Sequence, residues 1–336
     1  MRKWIIILSS LMTLLLLSAS ACGQVETSTQ KLTIYSGRTE ELIGPIIDQF
    51  TKATGIKVEV RYGTTSEMAA TILEEGKNSP ADIFYAQDPG GLGAVEHLFT
   101  QISDSILNQV EPRFRSPQGK WIGISGRARV IVYNTTNLSE SDLPDDIWDF
   151  TDPKWKGRIG WAPTNASFQA MITSMRVLWG EEKTRQWLLG IKSNDPKEYP
   201  KNTPIVAATG SGEIDIGFPN HYYLFRFLQE EGESFPARNY YLKGGGPGAV
   251  ILVSGAGILE TSKNKEIAER FLEFMLSIIA QQYFTGQTFE YPVIEGVSIH
   301  RLLKPLSEIN SPDISMTDMV DLEGTLNLMR DTGVIP

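Results

Sequence analysis

The chain has 336 residues, 41% of them hydrophobic and 10% aromatic, with a single cysteine and a formal net charge of -9. That length accommodates two domains, and that apolar content can build real cores, so the sequence is that of a globular protein. Its acidity excludes the basic surface that nucleic-acid binding calls for, and one cysteine excludes an internal disulfide.

Arg2 and Lys3 open the chain, the apolar run WIIILSSLMTLLLLSAS follows, and Ala21-Cys22-Gly23 comes next. A basic start, a short apolar stretch and a small-residue junction make residues 1–22 an export signal rather than a membrane span. Ala19-Ser20-Ala21 also fits an ordinary cleavage site. A lone thiol at the junction fits lipidation better: Cys22 then becomes the acylated N-terminal residue that anchors the protein to a membrane. Residues 23–30 read as a polar tether. The expected location is the periplasm or the outer face of the cell membrane.

From Lys31, strands alternate with helices. LTIYSG predicts a strand, and TEELIGPIIDQFTKATG places Ile43, Ile46, Ile47 and Phe50 at helical spacing. Thr39 is the predicted N-cap, although Pro45 lies deep enough to delay or bend that helix. KVEVRYG predicts a second strand, SEMAATILEEG a helix and ADIFYAQD a third strand. This alternation predicts an α/β domain with a parallel sheet, whose ligands bind beyond the carboxyl ends of the strands. Those ends are Ser36-Gly37-Arg38, Gly63-Thr64-Thr65 and Gln87-Asp88. A second α/β unit follows, with GRIGWAP as a strand, NASFQAMITSMRVLWG as a helix capped by Asn165, and IDIGF as a strand. Extended runs around 127–133 and 249–255 read as crossovers between two lobes.

Catalytic signatures are missing. No G-K-[ST] follows the glycines at 244–248, GGLGAVE lacks a third glycine, and there is no G-x-S-x-G. His97, His221 and His300 lack the paired spacing of a zinc site. The sequence therefore reads as non-enzymatic.

What remains is a set of hard oxygen donors and anion-binding groups at loop positions. In GFPNHYYLFRF, Tyr222 and Tyr223 stand side by side where IDIGF gives out. Neighbours on a strand point to opposite faces, whereas at a strand-to-helix turn they can fan towards one point. Phenolate oxygen suits a hard, highly charged cation, and a phenol with pKa near 10 ionises at neutral pH only when a strong Lewis acid displaces its proton. Ferric iron is the physiological ion best able to do that. Spacing alone leaves a second use open, because amphipathic tyrosines also fill cores.

LTIYSGR, TGIKVEV, SPADIFYAQD, WIGISGRARVIVYN, DPKWKGRIG, YPKNTPIV, NHYYLFRF, PGAVILVSGAGIL and FEYPV occur in order over most of the chain beyond Lys31. With these segments the chain resembles the ferric-iron-binding proteins of bacterial ABC transporters, the bacterial transferrin group. The resemblance implies a type II periplasmic-binding-protein fold, two hinge-linked α/β lobes with the cleft between them, closing on the ligand. The expected lobes are 31–128 plus 254–300 and 129–253 plus 301–336. It further implies Fe3+ as cargo, with phosphate or carbonate as a synergistic anion, delivered by a monomer to an ABC permease.

Carried over by residue, Tyr222 and Tyr223 become the iron phenolates. Asn165, Ala166 and Ser167 match the loop and helix start that bind the anion, which suits free N–H groups at a helix N-terminus. Asn202 and Asn220 line that anion, and Arg127 lies near the cleft. The first lobe departs from the pattern. Where well-known members carry a histidine ligand, this chain reads Tyr35-Ser36-Gly37-Arg38-Thr39, and where some carry a glutamate it reads Gln87, followed by Asp88. A third tyrosine of another branch is missing from WAPTNASF. Either Glu40, Gln87 or Asp88 completes the metal sphere, or anion and water do. Arg38 would repel Fe3+ directly but can hold an anion that bridges to it; a solvated helix-start arginine is the other reading. The altered first lobe also leaves a different cargo open: an oxyanion, a small organic acid or a ferric chelate.

Overall fold

In the computed structural model, which describes residues 30–336, β1 (Lys31–Ser36) lies between β2 (Lys57–Tyr62) and β3 (Ile83–Ala86), with Ile34 level with Val60 and Ile83. The export signal, Cys22 and nearly all of the tether lie outside the described residues. Further along come β4 (Trp121–Ala128), β5 (Ile131–Asn134), β6 (Ile159–Trp161), β7 (Lys197–Glu198), β8 (Ile216–Gly217), β9 (Ala237–Tyr240) and β10 (Ile251–Ile258). They form two sheets, ordered β2-β1-β3-β10-β4 and β7-β6-β8-β5-β9.

The sheets are mixed rather than parallel. β10 runs antiparallel to β3 and β4, and β5 runs antiparallel to β8 and β9. Parallel neighbours need a long crossover, here a helix, whereas β5 and β10 arrive directly from the other sheet and are free to enter from the opposite end. The two crossings lie side by side: Leu252 pairs with Arg127, Ile251 pairs with Ala128, and the Arg129 N–H donates to the Val250 carbonyl at 3.0 Å. This ribbon joins the sheets and carries Arg127 and Arg129 between them.

Local chemistry sets the helix starts. The helix Glu40–Thr54 begins at Glu40 in spite of Pro45 and buries Leu42, Ile43, Ile46, Ile47 and Phe50 along one face. Pro45, in the second turn, removes the donor that would reach the Glu41 carbonyl, and the helix nevertheless continues to Thr54. Thr64 makes a capping box for Thr65–Glu75, and Asn165 caps Ala166–Trp179 by accepting from the Ser167 N–H.

Each sheet has its own core. Leu32, Ile34, Phe50, Ile83, Trp121, Leu252 and Phe271 belong to the first, and Ile131, Trp161, Phe168, Trp187 and Phe218 to the second. The C-terminal stretch serves both, since Leu303, Met316 and Met319 pack in the first core and Leu328 and Met329 in the second. The Phe50 ring meets Phe271 edge-on at 5.2 Å and Phe274 at 5.4 Å. Phe50→Ala is expected to destabilise the protein by about 3–5 kcal/mol, seen as an earlier urea midpoint, because it empties a fully buried site far from the interlobe ribbon. Among the described residues, no helix is long and apolar enough to cross a membrane.

Candidate functional site

β8 ends at Gly217, four residues turn the chain, and the helix Tyr222–Glu231 begins with the tyrosine pair. The two rings stack, with centroids 4.1 Å apart at 28°. Tyr222 is wholly buried and its hydroxyl has no hydrogen-bond partner, while Tyr223 is half-buried. Burial, and then the neighbouring Tyr223, push the Tyr222 phenol well above its ordinary pKa, whereas Arg38 and Arg127 pull it back. His221, just before the pair, is fully engaged elsewhere. Its Nδ1 accepts from the Ala128 N–H at 3.1 Å, which leaves Nε2 to donate to the Phe289 carbonyl at 2.8 Å. Burial pushes its pKa down to about 4, so it stays neutral and offers no free nitrogen to a ligand.

A polar group from several elements lies beside the pair. The Asn165 Oδ1 accepts from the Ser167 N–H at 3.1 Å and from the Ser167 hydroxyl at 2.6 Å. The Asn202 Nδ2 reaches Asn165 Oδ1 at 3.3 Å and Ser167 Oγ at 3.2 Å, from the first position of the helix Asn202–Ser211. Arg129 completes the set: its Nη1 donates to Ser167 Oγ at 3.4 Å and Asn220 Oδ1 at 3.3 Å, and its Nη2 to the Phe218 carbonyl. The structure thus brings Asn165, Ser167, Asn202 and Asn220 together, with Ala166 at the helix start among them. Asn202 Oδ1 and Asn220 Nδ2 remain buried without partners. Arg129 was missed by the sequence reading, although SGRAR places it two residues from Arg127.

The first sheet adds charged groups of its own, Arg127 from β4 and Arg38 from just beyond β1. Arg127 is completely buried and none of its three guanidinium nitrogens has a hydrogen-bond partner. Burial, and then Arg38, lower its pKa. Arg38 is equally buried rather than solvated, because Gly37 lets the chain press against Thr65, whose hydroxyl a Cβ at Gly37 would overlap. The Arg38 Nη2 pairs with Glu290, while Nε and Nη1 stay unbonded. Burial, the largest single influence, works to lower the Arg38 pKa, but the Glu290 carboxylate together with the Tyr222, Tyr85 and Tyr223 phenols makes the net shift upward. Burial, then Arg127, bring Arg129 down to about 9.

Asp88 caps the helix Pro89–Val95, accepting from the Gly91 N–H at 3.3 Å, and its second oxygen is buried and free. Burial pushes this carboxyl up to about 6 against the pull of Arg127. Gln87 is half-buried, with its Nε2 unbonded, and Glu40 lies exposed at its helix start. Tyr85, which the sequence reading did not single out, adds a buried hydroxyl without a partner, its pKa pushed up to about 12 first by burial.

Three desolvated guanidinium groups against the Glu290 and Asp88 carboxyl groups still leave an excess of buried positive charge, which a protein interior tolerates only with a compensating partner. Among the described residues, no group of three or more His, Cys, Asp or Glu side chains is placed to hold a metal. Phenol oxygens next to an anion-demanding pocket are therefore the donors this region offers. A groove elsewhere, lined by Pro45, Gln49, Ile278 and Ile279, is open to solvent and brings no such chemistry.

Residues 45–304 match the family described as bacterial extracellular solute-binding protein. The chain is 34% identical over 317 residues to the Fe(3+)-binding periplasmic protein of Serratia marcescens, covering 93% of each. It superimposes on iron-bound HitA from Pseudomonas aeruginosa with a TM-score of 0.87 and 35% identity, covering 90% of this chain and 99% of that one. A Trichodesmium protein in complex with iron and citrate gives 0.78 and 32%, covering 90% and 99%. Two α/β lobes built on mixed sheets are the fold shared with these relatives. The chain belongs to the bacterial extracellular solute-binding protein family, alongside members that bind ferric iron.

Proposed function

We propose that this protein captures ferric iron outside the cytoplasm, together with a synergistic anion, and delivers it to the permease of an ABC importer. The observation that carries the reading is the buried, unbonded hydroxyl of Tyr222, stacked against Tyr223 and faced by arginines that favour its ionised form. Tyr222 and Tyr223 supply the phenolates. Asn165, Ala166, Ser167, Asn202, Asn220, Arg38 and Arg127 receive the anion, for which phosphate and carbonate are the candidates. Asp88 is placed to help from the first lobe, with Gln87 beside it; exposed Glu40 is the weaker choice. Acylated Cys22 tethers a monomer to the membrane, and the protein performs no catalysis.

Acid should release the iron. Unloaded Tyr222 is protonated at neutral pH, so binding expels its proton and falling pH favours the metal-free form. Apparent affinity should fall roughly tenfold per pH unit for each proton displaced. Iron retained after desalting at pH 7.5, 6.5 and 5.5 checks this, and retention unchanged across the series would contradict it.

A second reading rests on Arg127 and its unbonded guanidinium. On this reading the pocket takes an oxyanion, a small organic acid or a ferric chelate rather than Fe3+ and a separate anion. Thermal shifts with citrate, alone and with one equivalent of iron, separate these cases. Equal stabilisation by citrate alone favours the organic acid, stabilisation only by the mixture favours an iron-containing cargo, and stabilisation by ferric nitrilotriacetate with phosphate but without citrate then favours Fe3+ over a ferric citrate chelate.

A further inference from the structure

Glu290 lies against the cleft, yet the function proposed above gives it no part. It is completely buried, with one carboxylate oxygen accepting from Arg38 Nη2 and the other from the Ser125 hydroxyl. Ser125 and Ser254 share a further hydrogen bond of 2.7 Å across β4 and β10. The backbone on either side of Glu290 is fixed as well. Phe289 has φ +57°, a left-handed conformation that bulky residues adopt only when the surroundings impose it. Its carbonyl accepts from His221 Nε2 at 2.8 Å, next to the tyrosine pair. Tyr291 and Gly126 of β4 exchange both backbone hydrogen bonds, at 2.7 and 2.8 Å. The turn at 288–291 is therefore tied at once to the hinge strand and to the loop that bears the tyrosines.

An arginine gripped at one nitrogen by a carboxylate presents its remaining N–H donors in fixed directions. For Arg38 those donors are on Nε and Nη1, buried and unbonded. Each can give its own charge-assisted hydrogen bond to an oxyanion.

We propose that Glu290 is a positioning residue for anion recognition: by holding Nη2 it fixes the plane of the Arg38 guanidinium and directs its free Nε and Nη1 donors towards the anion, so that the first lobe meets the cargo through its anion. The assignment rests on the ferric-iron-plus-anion reading. It also explains how the first lobe can take part in closure where relatives' usual metal ligands are replaced.

The test compares two uncharged replacements, so that the change in cleft charge is the same and orientation alone differs. Glu290→Gln keeps an oxygen that accepts from Arg38 and an amide that donates to the Ser125 hydroxyl, whereas Glu290→Ala keeps neither. With ferric nitrilotriacetate held constant, inorganic phosphate is titrated and its half-saturating concentration is read from the visible band of the loaded protein. E290Q should need at least about tenfold less phosphate than E290A. In an Arg38→Gln background the same pair should agree within about twofold.

A merely structural role predicts otherwise: Gln and Ala would then differ in melting temperature but not in phosphate demand, or would differ equally with and without Arg38. Either result overturns the assignment. Should E290A fail to fold, Glu290→Asp replaces it, keeping the charge while withdrawing the carboxylate by one methylene. It should weaken phosphate several-fold, and a wild-type response from E290D would contradict the proposal. A wild-type protein without a visible band contradicts the ferric reading instead; the same variants are then compared by phosphate-induced thermal shift without iron.

Discussion

Replacing Tyr222 and Tyr223 together by phenylalanine should remove ferric-iron binding and leave the fold intact. The rings carry the packing: Tyr222 is buried against the first core and stacked on Tyr223. The hydroxyl of Tyr222 has no partner whose loss would be felt. Deleting an unsatisfied buried hydroxyl is neutral or stabilising, so the melting temperature of the unloaded protein should hold or rise. Iron affinity should fall more than about a hundredfold, because even groups that only support a metal ligand are worth 10–100-fold. Competition with a coloured ferric chelator measures this. Retained affinity in a folded double variant would mean that the phenols are core aromatics.

Arg127→Met should separate stability from function. Arg127 is fully buried with all three side-chain nitrogens unpaired, and Asp88 and Tyr222 approach it without bonding. An unpartnered buried charge is a cost, and exchange of buried charged groups for apolar ones of similar size has stabilised other proteins by roughly 1–4 kcal/mol. In phosphate-free buffer R127M should therefore melt a few degrees above wild type. Added phosphate should raise the melting temperature of R127M by clearly less than that of wild type, since one of the charges that receive the anion is gone. If R127M is less stable without anion, Arg127 has a structural partner and the anion account of this side chain is wrong.

Much of the molecule was legible because its signals are local. Alternation over residues 31–36, helical spacing of Ile43, Ile46, Ile47 and Phe50, and the Asn165 cap each depend on neighbours a few residues away. The tyrosine pair was legible for the same reason, as a doublet at a strand-to-helix turn. Sheet direction was not, since β10 takes its place between β3 and β4 through partners more than a hundred residues distant. Arg38 illustrates the limit best. Its sequence context at a helix start suits a solvated side chain, but its ion-pair partner lies 252 residues further on and keeps it buried. Arg129 was passed over because its meaning comes from Ser167 and Asn220, 38 and 91 residues away. Glu290 was hidden too, since FEYPV entered only as one segment of the family resemblance and the contacts that fix its backbone come from His221, far away in sequence.

The visible spectrum of the purified protein, recorded with a soluble ferric chelate before and after phosphate or carbonate is supplied, tests the central claim most directly. Iron held by Tyr222 and Tyr223 gives a phenolate-to-iron charge-transfer band that survives desalting and is missing from the double phenylalanine variant. No band under any of these conditions, in a protein whose melting temperature still rises with phosphate, would mean that the cleft takes an anion and that ferric iron is not its cargo.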